Sequence, residues 1–324
     1  MTSGGEFALI QRYFTRASRR SDVVLGIGDD AALLRLPAGY ELTVTVDTQV
    51  AGVHFPPQAT PGSIGHKALA VNLSDLAAMG AQPAWVTLAL TLPQVDPIWL
   101  DEFTQGFFAL AESYGVELIG GDTTRGPLSI TVQAMGRVPV GEALRRDGAQ
   151  PGDLIFVTGT LGDAALGLSL LNCTQSYDDP HQVFVLDRLH RPSPRVQAGL
   201  LVRGIASAAI DISDGLVADL GHICERSGTG ACIELAQLPC SASLLALTTE
   251  DERNRLALSG GDDYELCFTV PPPRLAQLEA RAAQFEPGWT CIGQIEPGSR
   301  VRCLRANGQE LLIEDAGYDH FRVP

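Results

Sequence analysis

Lysine is nearly missing from this chain. Lys67 is the only one, and every other basic residue is arginine. That absence removes two common ways of gripping ATP: a P-loop needs Gly-x-x-x-x-Gly-Lys, and protein kinases need a lysine on a strand. Any nucleotide chemistry here has to use metal ions, arginine and backbone amides. Positive charge is scarce altogether. The chain carries 23 Lys+Arg against 38 Asp+Glu, a net charge of −15, which argues against nucleic-acid binding through a basic face. An acidic protein still binds phosphates where cations bridge the two sets of negative charge. Cysteine is absent before Cys173. The seven present are odd in number and have no C-x-x-C spacing, which argues against a zinc site or a disulfide framework and for free thiols. No apolar run reaches the length of a membrane span, and Met1–Glu6 lacks the basic and apolar regions of a signal peptide. A cytoplasmic protein without membrane contact is expected. The Gly-x-Ser-x-Gly elbow is missing, as is any nucleophile–His–acid constellation.

Acid at the ends of apolar runs is what the chain has instead. The stretch Gly26-Ile27-Gly28-Asp29-Asp30-Ala31 follows the apolar run Val23-Val24-Leu25. It is too glycine-rich for a helix interior and too acidic for a core strand. The pattern recurs at Val44–Thr48 around Asp47, at Leu118–Thr124 around Asp122, at Ala209–Gly215 around Asp211 and Asp214, and at Ser259–Glu265 around Asp262 and Asp263. Any one of these is also an ordinary turn in which Asp bonds to nearby backbone.

Strand and helix patterns alternate along both halves, which predicts an α/β or α+β architecture. A helix is expected over 6–18, a strand over 41–46 ending at Asp47, and a long Ala/Leu-rich helix over 61–79 stopped by Gly80. Asn72 and Asp75, three apart, share a face of that helix. A strand over 85–92, a helix over 97–114 and a short strand over 116–119 ending in Gly-Gly-Asp follow. The Gly- and Arg-bearing stretch 139–151 reads as a linker between domains at 1–138 and 152–324. In the second half a strand at 208–212 leads to a helix at 215–226.

Asp30, Asp47, Asp75, Asp122, Asp211 and Asp214, brought together, would repel one another unless cations sat between them. Mg²⁺ suits such a set, because a few carboxylates plus water and phosphates complete its octahedron. Asp214 also fits a plain helix N-cap, whereas Asp211 interrupts an apolar strand. Gly120-Gly121 lets backbone approach a phosphate closely, or simply makes a turn. Arg146 suits a transferring phosphoryl group, or is an exposed surface arginine. Among the six histidines, His54 stands out by its loop position soon after Asp47.

Taken together, Gly5–Phe7, Gly26–Ala31, Asp47–Phe55, Lys67–Ala81, Gly120–Gly126, Gly159–Gly167, Asp211–His222 and Ser259–Phe268 make the chain resemble the thiamine-monophosphate kinases. These belong to the superfamily of aminoimidazole ribonucleotide synthetase. The matches keep the family order over nearly the whole chain. The resemblance implies transfer of the γ-phosphoryl of ATP to thiamine monophosphate with several Mg²⁺ ions. It also implies a two-domain synthetase-like fold: an N-terminal mixed sheet with helices that dimerises, and a C-terminal α/β domain. It casts the six aspartates as metal ligands, Thr45, Gly121, Arg146 and Ser213 as nucleotide contacts, and His54, Asp262 and Tyr318 as acceptor contacts. Asp122, Arg146 and Asp214 would serve catalysis. Asp262 departs from the family's usual Glu, and Val46 from a frequent hydroxyl residue. Rivals are another ATP-using member of the superfamily, or a non-catalytic Mg-nucleotide-binding protein. Selenophosphate synthetase is disfavoured because no Cys precedes Cys173, and the hydrogenase-maturation relatives because the chain does not end in Cys.

Overall fold

The computed structural model describes residues 5–171, 179–313 and 317–318. The chain divides into two compact units. One comprises residues 1–76 and 81–141, the other residues 77–80 and 142–324.

The first unit contains α1 (Glu6–Tyr13), β1 (Val23–Leu25), β2 (Leu33–Leu34), β3 (Tyr40–Val50), α2 (Pro61–Ala78), β4 (Gln82–Leu92), α3 (Pro97–Ser113), β5 (Glu117–Arg125) and β6 (Ser129–Pro139). Its main sheet runs β3-β6-β4-β5, antiparallel except for the β4/β5 pair. The α2 pattern predicts the helix well: Leu69, Leu73, Leu76 and Ala77 are all sealed from solvent. Helix α3 opens on a cap: Asp96, just ahead of Pro97, accepts from the N–H groups of Ile98 and Trp99, satisfying donors that the first turn leaves open.

Two expectations about strand ends are corrected. Asp47 does not end its strand: β3 continues to Val50, fully paired with β6. Gly120-Gly121-Asp122 is likewise not a turn, because β5 runs through it to Arg125 beside β4. Thr48 and Val50 after Asp47, and Thr123 and Thr124 after Asp122, keep β propensity high enough for a neighbouring strand to carry the pairing onward. Gly121 has φ +150°, and a Cβ there would meet the Leu88 carbonyl oxygen at 1.9 Å. The close approach of β4 demands glycine at this position.

Strand β3 inverts the usual sidedness of a sheet. Thr43, Thr45 and Asp47 are half-buried and Gln49 is buried, while Leu42, Val44 and Val46 between them are about half exposed (48%, 50% and 57%). Period-two geometry therefore puts polar residues inward and apolar ones outward. Val46 faces away from Asp47, so its departure from the family pattern does not alter the surroundings of that carboxylate.

The second unit contains β7 (Leu154–Thr158), α4 (Asp163–Leu171), α5 (Pro180–His190), α6 (Val196–Val202), β8 (Ala208–Ile212), α7 (Leu216–Ser227), β9 (Gly230–Glu234), α8 (Ala242–Leu247), α9 (Glu250–Ser259), β10 (Glu265–Val270), α10 (Leu275–Ala282), β11 (Trp289–Glu296), β12 (Val301–Leu304) and β13 (Glu310–Leu311). Seven strands form one sheet in the order β13-β12-β9-β11-β7-β10-β8. Strand β10 is buried along its length, as is β8 at the end of the sheet, and α7 packs Leu216, Leu220 and Ile223 into the same core. Of the seven cysteines, Cys173 lies outside the described residues; the other six are free thiols.

Candidate active site in two acidic clusters

In the first unit, β3 and α2 present their polar faces to one another. The Asn72 side chain, wholly buried, accepts from the Asp47 N–H at 3.1 Å and donates to the Ala68 carbonyl at 3.1 Å. The Thr45 hydroxyl donates to Asp75. Asn72 and Asp75 therefore share a helix face as their spacing predicts, and that face meets the inward side of β3 rather than water. Burial, followed by the charge of the neighbouring Asp75, pushes the Asp47 carboxyl up to about 7. Two carboxylates held this way take up either a proton or a cation.

The Gly-Asp-Asp loop is anchored from the residues before it. Asp22 accepts from Arg20 at 2.8 and 2.6 Å and from the Trp85 indole N–H at 3.2 Å, and Val23 and Leu34 pack on Trp85, Ile119 and Met135. Asp30 is exposed, its N–H held by the Asp29 carboxylate at 2.9 Å. Asp122 is exposed on the edge strand β5. His54 is half-buried, and its Nδ1 accepts from the Val50 N–H at 3.0 Å. That bond leaves Nε2 to carry the ring proton.

In the second unit the predicted residues are drawn together by backbone. The Asp262 N–H bonds the Ser213 carbonyl at 2.8 Å, Tyr264 N–H the Ile212 carbonyl at 2.8 Å, and Tyr318 N–H the Asp214 carbonyl at 3.1 Å. A Cβ on Gly261 would stand 2.6 Å from the Ser213 carbonyl oxygen, so that glycine is needed for the two loops to meet. Asp262 and Tyr264 sit at φ +68° and +51°, left-handed conformations that L-residues adopt at a cost. The two N–H bonds hold them there, and the Tyr264 hydroxyl donates to Asp262 at 3.1 Å. Asp211 is buried and Asp214 half-buried.

Asp214 is not the helix cap. Gly215 occupies the N-cap position without a side-chain bond. Asp219, from inside the first turn, accepts from the N–H groups of Ser213, Asp214 and Gly215 at 3.0–3.1 Å. Burial and then the Asp214 charge push Asp219 up to about 7, against those three donors. Arg146 is exposed and makes no ion pair among the described residues, whereas its neighbour Arg145 is taken by Asp147.

From sequence, Asp219, Asp263 and Glu265 were given no role, although the last two lie in the acidic Ser259–Glu265 motif. Asp263 is buried and accepts from Gly162 N–H at 2.7 Å and Ala164 N–H at 3.4 Å, fixing the start of α4. Glu265 has no exposure, and it accepts from Arg188 at 2.8 Å, from Arg195 Nε at 2.6 Å and from the Thr158 hydroxyl at 2.6 Å. The only sequence signal was their place in or beside the acidic motifs. Among the described residues no three His, Cys, Asp or Glu side chains form a closed metal-ligand set. The all-oxygen pair Asp47 and Asp75 fits Mg²⁺, which binds through one or two carboxylates and keeps water and phosphate as its other ligands.

Residues 28–138 match the family described as AIR synthase related protein, N-terminal domain, and residues 150–304 its C-terminal domain. The thiamine-monophosphate kinase of Escherichia coli K12 is 51% identical over 322 residues, covering 99% of each chain. The crystal structure of thiamine-monophosphate kinase from Stenotrophomonas maltophilia K279a superposes with a TM-score of 0.88 at 50% identity, covering 95% of this chain and 98% of that one. A structure of AaThiL complexed with AMPPCP and TMP has a TM-score of 0.78 at 33% identity and 89% coverage of both chains. With this fold and identity running its whole length, the chain belongs to the thiamine-monophosphate kinase family.

Proposed function

We propose that this chain transfers the γ-phosphoryl group of ATP to thiamine monophosphate by direct in-line displacement, giving thiamine diphosphate and ADP. As a member of its family it is an ATP-dependent kinase. The observation that carries the mechanism is the Asp47–Asp75 pair, where carboxylate meets carboxylate and burial raises the cost of leaving both charged. Bound Mg²⁺ would supply charge neutralisation and alignment for phosphates brought to such a site. Asp30, Asp47, Asp75 and Asp122 would hold metal on the first unit, Asp211 and Asp214 on the second.

Thr45, Gly121, Arg146 and Ser213 contact the nucleotide in this reading. Arg146 has its guanidinium available for a phosphoryl oxygen, since Arg145 and not Arg146 pairs with Asp147. His54, Asp262 and Tyr318 bind the acceptor: an exposed tyrosine ring can cover a flat or cationic ring, and the Tyr264 hydroxyl orients the Asp262 carboxylate beside it. No general base is required, because a phosphate acceptor is already ionised at neutral pH. This accounts for a site built of Asp with little His.

The outward apolar face of β3, with Leu42, Val44, Val46 and Val50, suits a second copy of the chain and makes a homodimer the expected assembly. Sedimentation showing only monomer at micromolar concentration would contradict it. Free thiols fit a reducing cytoplasm, and no described helix is long and apolar enough to cross a membrane. Incubation with ATP, Mg²⁺ and thiamine monophosphate, followed by chromatography for thiamine diphosphate, tests the activity. Nucleotide binding without turnover would support the non-catalytic alternative. Activity that keeps rising with free Mg²⁺ after all ATP is complexed supports several metal ions; saturation at equimolar Mg²⁺ and ATP sinks that part.

A further inference from the structure

The second unit contains a cavity of about 320 Å³ that shares no lining residue with the site described above. Leu235, Leu238 and Leu245 give it an apolar wall, and Cys240, Arg253 and Asn254 line it as well. Asn254 is 7% exposed. Its side-chain amide makes no hydrogen bond among the described residues, and its polar atoms are not among those sealed inside the protein, so the amide opens into the cavity. Arg253, the preceding residue on α9, makes no ion pair among the described residues. Arg305, also in the lining, is taken by Asp251 at 3.1 Å.

Water in the cavity is the amide's present partner, and a ligand with matching polar groups can displace it. The available side chains define what that ligand carries. A guanidinium only donates, an amide NH₂ adds a further donor, and together they match the fork of a carboxylate. The leucine wall calls for an apolar body. Glu250, exposed on the same α9 and part of the lining, disfavours a second negative charge. We infer that this cavity binds a small organic monoanion, a carboxylate on a compact apolar or aromatic body.

Cys240 reports on occupancy from inside the cavity. Burial pushes its thiol up to about 11, so alkylation at pH 8 is slow enough to follow by peptide mass spectrometry. Benzoate is the probe, benzamide its uncharged isostere, and the full-length protein the sample. At a Kd of about 1 mM, about 5 mM benzoate slows Cys240 labelling roughly sixfold. Half-buried Cys232 and Cys291, which do not line the cavity, keep their rates, and benzamide slows Cys240 less than about twofold. Arg253→Gln and Asn254→Leu, each checked for an unchanged melting transition, remove the protection. Equal protection by benzamide, no protection by benzoate, equal slowing at Cys232 and Cys291, or full protection in a folded Arg253→Gln variant overturns the inference. The benzoate–benzamide contrast needs no variant, so the result stands even if a substitution does not fold.

Discussion

Glu265 and Asp263 in the second unit and Asp47 in the first are acids met in opposite ways. In the second unit the chain itself supplies the donors: Glu265 lies between two arginines and Asp263 takes two backbone N–H groups, while Asp219 takes three and is still raised by the Asp214 charge. In the first, Asp47 has another acid, Asp75, as the neighbour that shifts it most after burial. An acid neutralised by its own chain is part of the architecture. An acid set against an acid, as Asp47 is against Asp75, is open to something from solution.

The sharpest way to break this comparison is to remove an acid of each kind. Asp75→Ala or Asp122→Ala should lower kcat by about 10²–10⁴ while the melting transition stays cooperative, since charge that stabilises phosphoryl transfer is worth several kcal/mol. Loss of cooperative melting would instead make that acid structural. Glu265→Ala should act the other way round. It leaves two arginines buried without their anion and should cost roughly 3–5 kcal/mol in denaturant unfolding; a loss under about 1 kcal/mol would refute the division.

A smaller effect sharpens the role of the second unit's loops. Tyr318→Ala and Asp262→Ala should each raise KM for thiamine monophosphate about tenfold, equivalent to about 1.4 kcal/mol, with KM for ATP nearly unchanged. Asp262→Glu should remain active. Equal losses toward both substrates would remove these residues from the acceptor site.

The smallest effect is the pH dependence of stability. The folded-state pKa of Asp47 is raised from 3.8 to about 7, so folding favours its protonated form. Its contribution is fully present below the unfolded value and is lost as pH rises through about 7. Without Mg²⁺, the wild type should therefore lose on the order of 1 kcal/mol relative to Asp47→Asn between pH 5 and pH 8, read as a difference in urea midpoints. Mg²⁺ at pH 8 should restore part of that loss in the wild type only. A flat difference across the range would mean that Asp47 is not held in its protonated form.

Much of this was legible in the chain because the relevant forces act locally. The run Ala208–Ile212 is a strand over its predicted bounds, and the three-residue spacing of Asn72 and Asp75 was enough to place them on one helix face. What was not legible depends on distant partners. Glu265 meets its arginines across 77 and 70 residues, so nothing beside it announces the ion pairs. Asp214 looked like a cap because it precedes a helix; the N-cap place falls to Gly215, and Asp219 reaches back to the N–H groups of Ser213, Asp214 and Gly215, which shows only once the helix has closed. Asp47 and Asp122 were placed at strand ends because acid disfavours β structure locally, whereas pairing with β6 and β4 overrides that preference.

The inverted sidedness of β3 gives position along that strand a parity. Odd-numbered residues from Thr43 to Gln49 face inward with the site, and even-numbered ones from Leu42 to Val46 show their apolar side chains to solvent. Single substitutions can therefore retune one set without touching the other. Inserting one residue would exchange the two sets at a stroke, placing valines where Asp47 and the threonines belong and putting that acid on the apolar face, whereas inserting two would preserve the alternation. Within this strand, length can change only in even steps.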